Sequence, residues 1–182
     1  MRVITGTARG RKLKELTGLE TRPTTDRVKE GLFNIIQFDI EGRRVLDLFS
    51  GTGQLGIECL SRGAERAVFV DQRKDAAALI RDNLKTTGLE ARAAVVQGDA
   101  MAYLSACQET FHIILLDPPY ESGLMNQALE RIVRFDILSG NGIIVCETPA
   151  GQALPELPAP YRKDREYRYG KIMLTLYRRE II

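Results

Sequence analysis

Asp117-Pro118-Pro119-Tyr120 is the segment of this chain best suited to chemistry. It follows an apolar run, Phe111 to Leu116, so it would stand at the carboxyl end of a buried strand. Two prolines fix φ and remove two N–H donors, leaving a stiff backbone whose carbonyls can face a pocket. The Asp117 carboxylate and the Pro118 carbonyl then form two acceptors at fixed separation. Tyr120 adds a flat face on which a nucleobase can stack, worth about 1–3 kcal/mol. This suits an exocyclic amino group, whose lone pair is conjugated with its ring and is a poor nucleophile. Holding both hydrogens favours a pyramidal nitrogen that can attack an electrophilic carbon. A plain Pro-rich turn after a strand is the alternative.

A second group lies in Val45–Glu58, VLDLFSGTGQLGIE. Here an apolar strand runs into Gly51-x-Gly53-x-x-Gly56 and then a helix. Glycines allow a tight turn and close approach of backbone to ligand, while the helix N-terminus supplies free N–H groups. Asp71 ends the next strand about 20 residues later, where an acid accepts ribose hydroxyls in nucleotide-binding units. The pattern fits both a nicotinamide dinucleotide and S-adenosylmethionine. Asp47 separates them. A carboxylate beside a pyrophosphate is repelled by about 1 kcal/mol at 4 Å in water, and by more when buried. Beside a sulfonium and an α-ammonium it attracts, directly or through one water. Asp99, in Gly98-Asp99-Ala100, is placed to accept from an adenine amino group. Taken singly, Asp71 and Asp99 could also be strand-end turn or helix-cap residues.

The elements that must position these groups alternate from residue 44 onward. Arg44–Phe49, Arg66–Asp71, Ala91–Asp99, Phe111–Asp117 and Gly142–Thr148 read as buried strands. Gln54–Gly63, Lys74–Leu89 and Ser122–Ser139 read as helices, with a shorter one over Asp99–Cys107. In the third of these, Leu124, Ala128, Ile132 and Phe135 recur at helical spacing. Such alternation predicts an α/β protein with a parallel sheet and helices on both faces, binding its ligand beyond the strands' carboxyl ends where the chain order reverses. Met1–Thr7 and Arg11–Leu16 can pair as a hairpin, followed by a helix over Thr25–Phe38. Pro155, Pro158 and Pro160 break any later helix. Tyr161–Gly170 and Lys171–Arg179 then close the sheet as an antiparallel pair.

Composition excludes several classes. The chain has 182 residues, 44% of them hydrophobic and 27% charged, an ordinary globular balance. Its three cysteines, Cys59, Cys107 and Cys146, are too scattered for a disulfide framework and read as reduced thiols of a cytoplasmic protein. One histidine, His112, and scattered cysteines leave little material for a structural zinc site, and His112 falls at the wrong end of its strand for catalysis. No apolar run approaches the 18 or so residues of a membrane span, and the N-terminal residues lack an apolar signal region. Charge is segregated: residues 1–44 carry +4, 45–160 carry −6 and 161–182 carry +4. The basic ends fit either a polyanion-binding surface or an uneven solvated one. Tyr161, Tyr167, Tyr169 and Tyr177, interleaved with arginines, fit nucleic acid and a sheet edge equally well.

Taken together, the glycine motif, Asp71, Asp99 and Asp117–Tyr120 resemble the S-adenosylmethionine-dependent amino methyltransferases over about residues 44–179. Arg2–Gly6, Arg9-Gly10-Arg11-Lys12-Leu13 and above all Arg22-Pro23-Thr24-Thr25-Asp26-Arg27-Val28-Lys29-Glu30 narrow the likeness. They closely resemble the bacterial RsmD-type enzymes, which methylate the N2 amino group of a guanine in 16S ribosomal RNA. The resemblance implies a Rossmann-like methyltransferase fold with a mainly parallel seven-stranded sheet in residues 44–182. Residues 1–43 would be an RNA-facing extension of hairpin and helix. S-adenosylmethionine would be held at Asp47, Phe49, Ser50, Gly51, Gly53, Asp71, Gln72, Asp99, Ala100 and Asp117. Catalysis would fall on Asp117, Pro118 and Tyr120, and RNA contact on Arg9, Arg11, Lys12, Lys14, Arg22, Thr24 and Arg27. The implied partner is 16S ribosomal RNA within a small-subunit assembly intermediate, acted on by a monomer. Three other readings stay open: transfer to adenine N6 in DNA or to a protein glutamine, a non-catalytic RNA-binding assembly factor, and a nicotinamide-dependent oxidoreductase disfavoured by Asp47.

Overall fold

The computed structural model describes residues 1–17 and 25–181. Helix α1 (Asp26–Ile36) starts where Thr25 accepts the Val28 N–H and Asp26 sits in the positive first turn. Four strand–helix units and a fifth strand follow: β1 (Arg44–Asp47), α2 (Gln54–Ser61), β2 (Arg66–Asp71), α3 (Lys74–Thr87), β3 (Ala93–Gln97), α4 (Ala100–Ala106), β4 (Phe111–Leu116), α5 (Leu124–Phe135) and β5 (Leu138–Pro149). The hairpin β6 (Tyr161–Tyr169) and β7 (Ile172–Arg179) ends the chain. The sheet order is β3-β2-β1-β4-β5-β7-β6, with β1 to β5 parallel and β7 antiparallel to both its neighbours. The order reverses between β1 and β4, which puts a ligand crevice above those two strand ends.

Alternation along each strand builds one core on either side of the sheet. Val45, Phe69, Ile113, Leu115 and Val145 face one cluster, shared with Phe33 and Ile36 of α1, Ile57 of α2 and Ile80 of α3. Leu46, Val68, Ile114, Leu116 and Cys146 face the other, covered by Met101 and Leu104 of α4 and by α5. Phe33 is fully buried, and truncating such a side chain to alanine costs about 3–5 kcal/mol. Two local details differ from the sequence expectation. The buried face of α5 is Met125, Ala128, Leu129 and Ile132, while Phe135 is exposed beside the Arg134 guanidinium. Strand β5 begins at Leu138 because pairing with β4 starts at Phe111–Leu138, before the apolar run, and skips a register step.

The N-terminal arm folds back along α2. Its two limbs meet at one antiparallel bridge, Arg2–Lys12, and Gly10 N–H donates to the Val3 carbonyl at 2.9 Å. Buried polar groups fasten it. Glu58 accepts the Ile4 and Thr5 N–H groups at 2.8 and 3.0 Å and pairs with Lys29 at 3.4 Å and Arg62 at 2.9 Å. Ser61 Oγ accepts the Ala8 N–H at 2.9 Å and donates to the Thr5 carbonyl at 2.6 Å. The close approach needs Gly6, at φ +93°, where a Cβ would collide with the Ser61 carbonyl. Val3, Ala8 and Leu13 join the same core as α1 and α2.

Candidate active site at the carboxyl ends of the parallel strands

Asp47 ends β1 and is 3% exposed. Its Oδ2 accepts the Gly56 N–H at 3.1 Å, from the first turn of α2. Burial pushes its pKa up to about 7; the Gly56 hydrogen bond opposes this and the Asp71 charge adds to it. Among the described residues no lysine or arginine offsets that charge. A buried carboxylate of this kind favours a cationic ligand.

The glycine turn begins directly above. Leu48 N–H donates to Leu115 on one side at 3.2 Å, and Ser50 N–H to Val70 on the other at 3.0 Å, so β1 stays clamped until the turn. Ser50 Oγ donates to the Asp47 carbonyl at 2.5 Å and Gly53 N–H to the Ser50 carbonyl at 2.8 Å. Gly51 and Gly53 take φ +57° and +80°, which favour glycine. No atom lies within 4 Å of where a Gly51 Cβ would point, leaving room for a ligand. Asp71 accepts the Gly51 N–H at 2.8 Å through one oxygen and the Arg73 N–H at 2.9 Å through the other. Its carboxylate thus holds the turn and retains lone pairs for a ligand.

Phe49 is partly buried against the α4–α5 core, and Gln72 is exposed beside Asp71. Asp99 caps α4, accepting the Ala102 N–H at 2.8 Å, with Ala100 partly buried behind it. Asp99 therefore has the helix-cap role that its type and position allowed, just beyond the carboxyl end of β3.

Across the switch point, β4 delivers Asp117, partly buried, and Pro118, buried. Tyr120 is 37% exposed. Ser122 staples the turn by donating to the Pro119 carbonyl at 2.6 Å, and Glu121 and Gly123 take positive φ. Pro118 to Gly123 line a cleft of about 180 Å³ together with Glu147, Thr148 and Gln152, and Asp117 stands beside it. Glu147, 6% exposed at the end of β5, is a site residue that sequence reading missed. Its signal was the acid closing the apolar run GIIVCE, matching Asp117 at the end of HIILLD.

The basic residues are spread out. Arg9, Arg11, Lys12, Lys14 and Arg27 are exposed. Lys14 exchanges backbone hydrogen bonds with Asn83 at 2.8 and 3.2 Å, and Asn83 Nδ2 donates to the Thr52 carbonyl of the glycine turn at 3.0 Å. Lys14 thus lies near the N-terminal end of α2, with its ammonium 3.4 Å from Asp82. Arg9 follows Ala8, which is fastened at the Ser61 end, about 12 Å away along the helix. Arg27 opens α1 next to Val28, whose side chain shares a small cavity with Asp117 and Glu147. Arg22 and Thr24 lie outside the described residues. His112 is structural, its Nδ1 accepting the Arg44 N–H at 3.0 Å. Arg162, Arg178 and Arg179 are engaged with Asp164, Asp136 and Glu180, as a sheet edge would have them. Among the described residues no His, Cys, Asp and Glu cluster could hold a metal ion, and no helix is long and apolar enough to cross a membrane.

The family model described as conserved hypothetical protein 95 matches residues 1–178. The Bacillus subtilis protein YlbH is 42% identical over 182 residues, spanning 98% of this chain and 99% of its own. Ribosomal RNA small subunit methyltransferase D of Escherichia coli is 35% identical over 181 residues, spanning 99% of this chain and 90% of its own. The solved structure of the Escherichia coli protein yhhF aligns with a TM-score of 0.88 at 33% identity, over 99% of this chain and 98% of that one. The chain belongs to the conserved hypothetical protein 95 family, which it shares with the ribosomal RNA small subunit methyltransferase D enzymes.

Proposed function

We infer that this protein transfers a methyl group from S-adenosylmethionine to the exocyclic N2 amino group of a guanine in 16S ribosomal RNA. The observation that carries the reading is the meeting of two carboxylates at the switch point. Asp47, buried and with no cation beside it among the described residues, lies at the end of β1, and Asp117 stands at the end of its neighbour β4, beside a cleft walled by Pro118 and Tyr120. The first suits a positively charged methyl donor and the second an aromatic amine.

S-adenosylmethionine would supply a methyl group on a positively charged sulfur. Asp47 holds the cationic end, while Phe49, Ser50, Gly51 and Gly53 leave the backbone open for close approach. Asp71 and Gln72 face the ribose, and Asp99 and Ala100 border the adenine. Asp117 and the Pro118 carbonyl accept the two N–H bonds of the target amine, and Tyr120 stacks on its ring. Holding both partners in line supplies about 7–11 kcal/mol of barrier lowering. One well-aimed acceptor adds about 3 kcal/mol as the nitrogen becomes cationic. Asp117 need not be a strong base, because the proton leaves after transfer, when the N–H is acidic. Arg27, Arg9, Arg11, Lys12 and Lys14 would meet RNA phosphates. The substrate is read as a small-subunit assembly intermediate, the enzyme as a cytoplasmic monomer, and residues 1–43 as an RNA-facing extension of the 44–182 catalytic domain.

The test is Asp117→Ala. Calorimetry should find S-adenosylmethionine bound as in the wild type, while transfer to 16S RNA is lost. Unchanged transfer would remove Asp117 from the reaction.

A further inference from the structure

Glu147 is a buried carboxylate to which the reaction outlined above gives no part. The pairing of β4 with β5 sets Leu115 opposite Val145 and Leu116 opposite Cys146. The next residues along these two parallel strands are Asp117 and Glu147. Both line the small cavity under α1, with Val28, Leu32 and Leu174. Glu147 also lines the cleft that contains Pro118 and Tyr120. A carboxylate offers about four lone-pair sites, so it can keep partners within the protein and still accept a donor from a ligand. In the same cleft Thr148 has a buried hydroxyl with no hydrogen-bond partner among the described residues, a second polar group with bonding capacity to spare.

We propose that Glu147 reads the target base by accepting the ring N1–H of guanine, and thereby sets the preference for guanine over adenine. The assignment rests on the guanine reading given above. Guanine presents N1–H and its amine side by side as donors, whereas adenine presents an unprotonated N1 beside its amine. Two acceptors on adjacent strand ends, Asp117 and Glu147, match the first pattern. Against the second, the carboxylate would face another lone pair and neither group would gain a partner. The discrimination is thus built into the register of β4 and β5.

A synthetic 16S RNA fragment carrying 2-aminopurine at the mapped target keeps the amine and lacks the N1–H. Wild-type kcat/KM should fall roughly 10- to 100-fold on this substrate relative to guanine. Glu147→Gln, whose amide can donate as well as accept, should slow guanine methylation by a similar factor and bring the two substrates within about threefold of each other. Glu147→Asp, which keeps an acceptor on a shorter arm, should retain the guanine preference. Calorimetry with S-adenosylmethionine on each variant reports on the fold, and unchanged affinity is expected. A guanine to 2-aminopurine ratio that Glu147→Gln leaves unaltered overturns the assignment, and so does a loss of cofactor affinity without a change in that ratio. A wild-type protein that forms no N2-methylguanosine in 16S RNA would instead defeat the guanine reading itself, a distinguishable result.

Discussion

Asp47 and Gly56 are joined by a 3.1 Å hydrogen bond between the end of β1 and the first turn of α2. The contact lets the helix lie close to the strand, and only a residue without a side chain fits. A Cβ at position 56 would lie 2.4 Å from the Phe69 ring and 3.2 Å from the Asp47 carboxylate. The third glycine of the motif is therefore a packing residue that fixes the aim of the carboxylate.

Gly56→Ala should destabilise the fold by about 1–3 kcal/mol, because the buried Phe69 ring has nowhere to retreat. The cost should appear as a lower Tm. Cofactor affinity should fall with it, since Asp47 must shift. Wild-type Tm and affinity in this variant would show that the approach is looser than the structure has it.

The raised pKa of Asp47 predicts two pH dependences of opposite sign. Its folded value, about 7, lies above the ordinary 3.8. The stability it contributes is thus fully present below pH 4 and lost as pH rises through 7. Binding of a cation needs the ionised form, whose fraction grows from about one tenth at pH 6 to about nine tenths at pH 8. Affinity for S-adenosylmethionine, measured by calorimetry, should rise about tenfold over that range. Asp47→Asn should bind weakly and lose both slopes.

Much of this site was legible because its signals are local. A glycine spacing, an acid at the end of a strand and a Pro-Pro-Tyr turn each lie within a few residues, and the strands that carry them are continuous apolar runs. Glu147 was missed because its meaning depends on the register of β5 against β4, a relationship between segments about 30 residues apart. Asn83 was invisible for the same reason: its partners Lys14 and Thr52 lie 69 and 31 residues away in the chain. Composition shows the arm only as a run of basic residues. Its fastening to Glu58 and Ser61 spreads it along α2, because buried polar groups, not charge, decide where it lies.

Glu58→Ala should cost about 3–5 kcal/mol, the penalty for leaving a buried partner charge uncompensated. Burial already lowers the pKa of Lys29, which Glu58 offsets. Residues 3–8 should lose hydrogen-exchange protection, since the Ile4 and Thr5 N–H groups lose their acceptor. Full protection there would mean that the Ser61 hydrogen bonds and the apolar contacts hold the arm without Glu58.

Combined Arg9→Ala, Arg11→Ala and Lys12→Ala changes should weaken 16S RNA binding. They should also flatten the plot of log affinity against log salt by about two units, for roughly 0.7–0.9 per phosphate contact. Tm should not move, because these side chains are exposed. An unchanged salt slope would take the arm out of the interface.

The most direct test is mass spectrometry of nucleosides from unmodified 16S RNA incubated with the protein and S-adenosylmethionine carrying a labelled methyl group. The label should appear in N2-methylguanosine and disappear with Asp117→Ala. Label in N6-methyladenosine, or in no nucleoside at all, would contradict the account.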